Sequence, residues 1–304
     1  MNSIEVNNII KTYGKKKEVT ALNDISFNVE QGELFGIIGP DGAGKTSLFR
    51  ILTTLLLADS GKASVDGFDI VKDYKAIRKR VGYMPGRFSL YQDLSVEENL
   101  NFFATIFNTS IEENYGLIKD IYVQIEPFKK RKAGKLSGGM KQKLALCCAL
   151  IHRPSILFLD EPTTGVDAVS RKEFWEMLKG LRKEGITILV STPYMDEAGL
   201  CDRVALVQNG KFLSINTPGG IVNSFSKPLV AVKSTRMLHL LNELEKQDFV
   251  DNVYPFGEYH HVVMKDRSGE PLLQQFIKDR GNEKAVLQEA KPDIEDCFIA
   301  LMKS

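Results

Sequence analysis

Leu34-Phe-Gly-Ile-Ile38-Gly39-Pro40-Asp41-Gly42-Ala43-Gly44-Lys45-Thr46-Ser47-Leu48 decides the fold. Its first five residues are dominated by apolar side chains and predict a buried strand. Glycines then crowd the turn at Gly39, Gly42 and Gly44. Past Lys45 the apolar residues Leu48, Ile51, Leu52, Leu55 and Leu56 recur at helical spacing. Strand, glycine-rich turn and helix, with the full spacing G-x-x-x-x-G-K-T, is the context of a phosphate-binding P-loop. Side chains at the glycine positions would hold the backbone N–H groups away from phosphate oxygens. The helix start adds unpaired N–H groups and partial positive charge. Residues Gly39, Pro40, Asp41, Gly42, Ala43, Gly44, Lys45, Thr46 and Ser47 therefore form the candidate cradle for ATP. Lys45 would reach the β- and γ-phosphates, and the Thr46 hydroxyl would ligate Mg2+. A tight turn with no ligand is the plainer alternative, and the completeness of the pattern speaks against it.

A second constellation lies further along. Ile156-Leu-Phe-Leu159 is a continuous apolar run, as in a strand buried on both faces, and it ends in Asp160-Glu161. Two adjacent carboxylates at the end of a buried strand are costly unless used. The economical use places Asp160 on the Mg2+ shell and makes Glu161 the catalytic group that polarises the attacking water. Between the two motifs, Leu136-Ser137-Gly138-Gly139-Met140 opens another helix with serine as N-cap. Alone this is a weak anion site, since capped helices are common. Tyr13, just ahead of Gly14, is a candidate platform for a nucleobase; an ordinary strand-edge tyrosine is the alternative.

In this order the motifs resemble the ATP-binding subunits of ABC transporters. The P-loop at Gly39 to Thr46, the signature Leu136 to Met140 and the run Ile156 to Glu161 carry the resemblance. Thr164-Gly-Val-Asp167 resembles the family's D-loop, and the likeness runs from about Ile4 to Thr217. It implies an α/β P-loop cassette with an inserted helical subdomain. It also implies a head-to-tail pair of cassettes, in which Ser137, Gly138 and Gly139 contact the ATP held by the other cassette. Closing of the pair on ATP, and reopening on hydrolysis, would drive an integral-membrane permease. The last stretch, Pro292 to Leu301, resembles the terminal helix of ATPases serving ABC-2-type multidrug and antibiotic exporters. A bacterial source follows from the same likeness.

Two positions depart from the family pattern. Gly86 follows Tyr83-Met84-Pro85 where the family has a metal-contacting glutamine, and Pro193 follows Ser191-Thr192 where it has a γ-phosphate-contacting histidine. Glycine has no side chain to reach a metal, and proline offers neither donor nor proton acceptor. Asp41 in place of the common Asn is a milder change. The expectation is a site that binds ATP and hydrolyses it slowly, with an intact signature that completes a competent site on a different cassette. That favours a heterodimer; a homodimer relying on Glu161 is the alternative.

Composition bounds the rest. The 304 residues carry a net charge of +1, which gives no global reason to expect nucleic acid. No run reaches the length of a membrane span and the start of the chain lacks a signal peptide's apolar stretch, so a cytoplasmic protein, peripheral on the inner face of the membrane, is expected. Cys147, Cys148, Cys201 and Cys297 show no metal-ligand spacing, and His260-His261 are expected on a half-exposed strand. The predicted organisation is an ATP-binding domain over residues 1–220, with the helical subdomain at about 87–155, and an accessory α+β domain over 221–304. In the latter, strand and helix signals follow the order β-α-β-β-α-β of a ferredoxin-like unit. Thr217 to Gly220 is expected to be a linker. No guanine-reading Asn/Thr-Lys-x-Asp follows a strand, which argues against a GTPase. A soluble, non-transport ABC ATPase and a non-hydrolysing ATP-binding regulator are the remaining rivals.

Overall fold

The computed structural model describes residues 2–14, 18–279 and 285–303. The basic turn Gly14 to Lys17 lies, beyond Gly14, outside the described residues. The chain divides after Pro218 into two compact units.

The first unit holds two sheets. Strands β1 (Asn2–Tyr13), β2 (Val19–Glu30), β4 (Ser60–Val65) and β5 (Phe68–Asp69) form an antiparallel sheet in the order β2-β1-β4-β5. Strand β1 is twelve residues long although only Ile4 and Val6 near its start alternate regularly. Register shifts between Val6 and Ile9 interrupt its alternation, with Asn8 at φ 53° and bonded to Asp24. The second sheet contains β3 (Leu34–Ile38), β6 (Val81–Met84), β7 (Ile156–Asp160), β8 (Thr187–Thr192), β9 (Arg203–Gln208) and β10 (Lys211–Asn216), in the order β10-β9-β3-β8-β7-β6. All neighbours are parallel except β9 and β10, which close a hairpin at Asn209-Gly210, both at positive φ as a type I′ turn requires. Every residue of β3, β7 and β8 is buried, the result of apolar runs covered on both faces.

Parallel register positions the chemistry. Ile38 pairs with Thr192, and Asp160 pairs with Ser191. The P-loop, the carboxylate pair and the turn after Thr192 thus leave the sheet at one edge, the carboxyl ends of the strands, where ligands bind in open α/β sheets.

Helix α1 (Lys45–Leu52) follows the P-loop and α2 (Tyr74–Arg80) precedes β6. The pattern through Leu55 and Leu56 overstates α1: Thr54 stands at φ 64° and Leu55 is exposed. The insert contains α3 (Val96–Ile106), α4 (Ile111–Tyr122) and α5 (Gly138–Leu150). Ser95 and Glu98 make a capping box at the start of α3, and Ser110 with Glu113 makes a second that starts α4 at Ile111. Cys147 and Cys148 are free thiols in the core, and burial pushes both pKa values up, so they are reduced and inert. Helix α6 (Ala168–Lys183), capped by Asp167, completes the unit.

The second unit begins on α7 (Pro218–Asn223), a short helix where a linker was expected; proline suits its first turn. Then come β11 (Leu229–Lys233), α8 (Met237–Leu244), β12 (Val250–Phe256), β13 (Tyr259–Met264), α9 (Gly269–Asp279), β14 (Val286–Glu289) and α10 (Ile294–Lys303). Its sheet is antiparallel in the order β12-β13-β11-β14, with two helices inserted as in a split β-α-β arrangement. One face packs Leu240, Leu244, Leu273 and Ile277 of α8 and α9; the other packs Ile299 of α10. Both faces being covered, His260 and His261 are buried, not half-exposed. His261 bonds Asp296 at 2.6 Å and stacks on Phe256. The Asp296 carboxylate also accepts from Tyr254 Oη (2.7 Å) and Asp293 N–H (2.9 Å), while Asp293 caps α10 by accepting the Asp296 N–H (3.0 Å), so one fully buried group locks the first turn of α10 and ties it to the sheet.

Candidate nucleotide site

The turn between β3 and α1 is built to leave donors free. Gly44 is the N-cap of α1 and contributes no side-chain cap, and no acidic residue occupies the first turn. The leading N–H groups of α1 and its partial positive charge therefore face the loop. Gly42 (φ 79°) and Gly44 (φ 99°) take backbone conformations that disfavour side chains.

Lys45 is 4% exposed yet fully satisfied. Its Nζ donates to Gly39 O (2.7 Å) and Pro40 O (2.9 Å) and pairs with Glu161 Oε1 at 3.0 Å. The lysine is folded back onto its own loop, held by the carboxylate expected to handle water. Glu161 itself sits at φ 52°, a left-handed conformation costly for a non-glycine residue.

Asp160, 2% exposed, accepts from Ser191 Oγ at 2.8 Å. Its pKa is raised, chiefly by burial, against the lowering effect of hydrogen bonds from Ser191 and Thr46. A carboxyl with a raised folded pKa stabilises the fold below its ordinary range and loses that contribution as pH rises through the raised value; at neutral pH its charge is a cost. Asp160→Asn should therefore leave the metal-free melting temperature equal to or a few degrees above that of the natural chain, while abolishing any further rise on adding Mg2+ to the ADP complex. Thermal unfolding with and without Mg2+ reads both; a melt several degrees lower without metal would contradict the sign.

The Tyr13 hydroxyl lies 3.1 Å from Ser47 Oγ, which sets its ring beside the first turn of α1, partly exposed and with Lys11 over it. Ser137 Oγ accepts Met140 N–H and caps α5; Gly138 and Gly139 neighbour Gly165 and Ser170, not the P-loop. Gly86 is pressed against the backbone of β7: a Cβ there would stand 2.9 Å from Asp160 O, so glutamine could not be restored without moving the chain. After Thr192, Pro193 leads into Tyr194, whose ring lies under Arg171. The buried Glu197 accepts from Thr163 at 2.9 Å and so joins this turn to the segment after Glu161. His152 stacks on Phe107 and bonds Val81 O, with no part in the site.

Sequence reasoning did not single out Ser191. The one usable signal was that the apolar run ending at Val190 and the run ending at Leu159 are both buried strands, so polar residues at their ends can meet.

The family model for the ABC transporter matches residues 22–164. The Nod factor export ATP-binding protein I of Rhizobium sp. (strain N33) is 32% identical over 309 residues, covering 98% of this chain and 96% of its own length. The chain belongs to the ABC transporter family. The probable multidrug ABC transporter ATP-binding protein YbhF of Escherichia coli (strain K12) is 37% identical over 286 residues. That match takes in 93% of this chain but only 49% of YbhF, so this ABC cassette spans about half the length of that relative. Among solved structures, a dimeric post-hydrolysis state of the ATP-binding cassette MJ0796 bound to ADP and Pi is similar, with a TM-score of 0.64 and 26% identity over 70% of this chain and 98% of that one. The protein is thus an α/β P-loop cassette of the ABC ATPase family, and among the described residues no helix is long and apolar enough to cross a membrane.

Proposed function

We propose that the chain is the ATP-hydrolysing subunit of an ABC-2-like exporter, working as one of two cassettes on a membrane permease from the inner face of the membrane. The observation that carries this reading is the meeting at one sheet edge of Lys45, the uncapped start of α1 and the Asp160-Glu161 pair. ATP would lie with its phosphates on the loop from Gly39 to Ser47 and its base against Tyr13. Ser137, Gly138 and Gly139, standing away from this chain's own loop, are free to serve the nucleotide of a second cassette. The names of the Nod factor and multidrug relatives support export as the direction.

Asp160 and Thr46 fit Mg2+: both offer hard oxygen donors and Asp160 has no protein cation bonded to it. Among the described residues no cluster of three or more His, Cys, Asp or Glu could hold a metal alone. A Mg2+ ion would therefore rest on these two groups plus phosphate oxygens and water, as that ion usually does. When bound it would neutralise charge on the phosphates; Lys45 would hold them in place and Glu161 would orient the water and take its proton. A permease segment suits the apolar cleft of about 290 Å³ between α3, α5 and β6, lined by Tyr83, Met84, Phe103, Phe107 and Ala149.

The site is asymmetric in this reading. Without the glutamine and histidine that Gly86 and Pro193 replace, turnover on this loop should fall by about 10²–10³ relative to a complete site. The paired cassette would then carry most of the flux. In the assembled complex Glu161→Gln should change total ATPase by less than about twofold, whereas the equivalent change in the partner cassette should abolish it. Equal losses from the two substitutions would overturn the asymmetry, and failure of the purified chain to bind Mg-ATP would overturn the whole reading.

A further inference from the structure

We propose that Ser191 is the positioning residue of the carboxylate pair, an inference that rests on the reading of Asp160 and Glu161 given above. The hydroxyl is fully buried and used in both directions. It donates to Asp160 Oδ1 at 2.8 Å and accepts the Glu161 N–H at 3.0 Å, a donor that the Ser191 carbonyl shares at 3.1 Å. The parallel register of β7 and β8 sets the two residues side by side, so no loop rearrangement is needed to make these contacts. The first bond fixes the rotation of the Asp160 carboxylate and leaves one oxygen for a cation. The second anchors the backbone at the residue that must sit at φ 52°, a conformation that persists only when its surroundings hold it.

Among the described residues no other side chain does both. Thr46 also stands near Asp160 and lowers its pKa, but its hydroxyl is the one that would turn to the metal. Glu161 has Lys45 as its side-chain partner, and that contact is lost when Lys45 turns to phosphate. Gly86 and Pro193 supply nothing from the side. Among the described residues, Ser191 is thus the side chain contacting the pair that need not change partner when nucleotide arrives.

The test separates metal from nucleotide. Mn2+ affinity of the purified chain with saturating ADP is measured by electron paramagnetic resonance, beside ADP affinity in EDTA, for the natural chain, Ser191→Ala and Ser191→Cys. Loss of a hydrogen bond to a charged acceptor should weaken Mn2+ binding roughly tenfold or more. ADP affinity in EDTA should stay within twofold. Cysteine fills the same space with a poor donor, so it should match alanine and exclude a cavity effect. Mn2+ affinity within twofold of the natural chain in either folded variant overturns the role of Ser191. A natural chain that binds neither ADP nor Mn2+ overturns the parent reading, and with it this one, which distinguishes the two failures.

Discussion

Lys45→Ala is expected to weaken ATP binding at this chain's own loop by a factor on the order of 10²–10³. An ammonium on a phosphate makes charge-assisted bonds worth about 1.5–3 kcal/mol each. Part of that gain is offset in the natural chain, because Lys45 must first release Gly39 O, Pro40 O and Glu161. A net loss of about 3–4 kcal/mol corresponds to the stated range. The same substitution leaves two loop carbonyls and a carboxylate without their cation, so the empty protein should also melt a few degrees lower. Titration with a fluorescent ATP analogue, with and without Mg2+, measures the first effect and calorimetry the second. An affinity loss under fivefold would mean that Lys45 stays folded onto its loop when nucleotide binds.

Gly44→Ala is expected to cost the first unit about 3–5 kcal/mol, from two penalties that add. Gly44 stands at φ 99°, where an alanine carries strain of about 1–3 kcal/mol. A Cβ there would also lie 2.1 Å from Ala21 O of β2, a backbone atom that cannot swing aside, and relief of such overpacking costs a further 1–3 kcal/mol or so. At about 2–4 °C per kcal/mol for a unit of this size, the melting temperature should fall by roughly 10 °C. Gly42→Ala is the control: it shares the positive φ, at 79°, but its Cβ would meet nothing within 4 Å. It should cost only the strain, about 1–2 kcal/mol. Equal melting points for the two variants would show that the approach of β2 to the loop is not what requires glycine at 44.

The P-loop, the carboxylate pair and the capping box at Ser95 were legible because each is local: its meaning is complete within a few residues. Ser110, three residues before Glu113, carries the same local signal as Ser95 before Glu98. Ser191 was hidden for a different reason. Its importance depends on which strand lies beside β8, and that pairing joins residues 31 positions apart. The burial of His260 and His261 was hidden likewise, since it takes α8, more than twenty residues earlier, to cover the first and α10, more than thirty residues on, to cover the second. The early end of α1 at Leu52 escaped because Leu55 and Leu56 continue the helical period while only Leu56 packs inward. Tyr13 was read as a base platform from its aromatic face and the P-loop downstream; the antiparallel sheet delivers it there through the full length of β1, a strand whose alternation is broken by register shifts.

The Lys45–Glu161 pair has a bearing on how the cassette empties. With the two groups paired at 3.0 Å, a triphosphate bound as proposed would replace an existing partner, and its departure would let the two ends reunite. The free energy of that reunion would oppose retention of spent nucleotide. On the proposed assignment it would also keep Glu161 from acting on stray water while the cradle is bare, leaving the subunit disarmed until nucleotide returns.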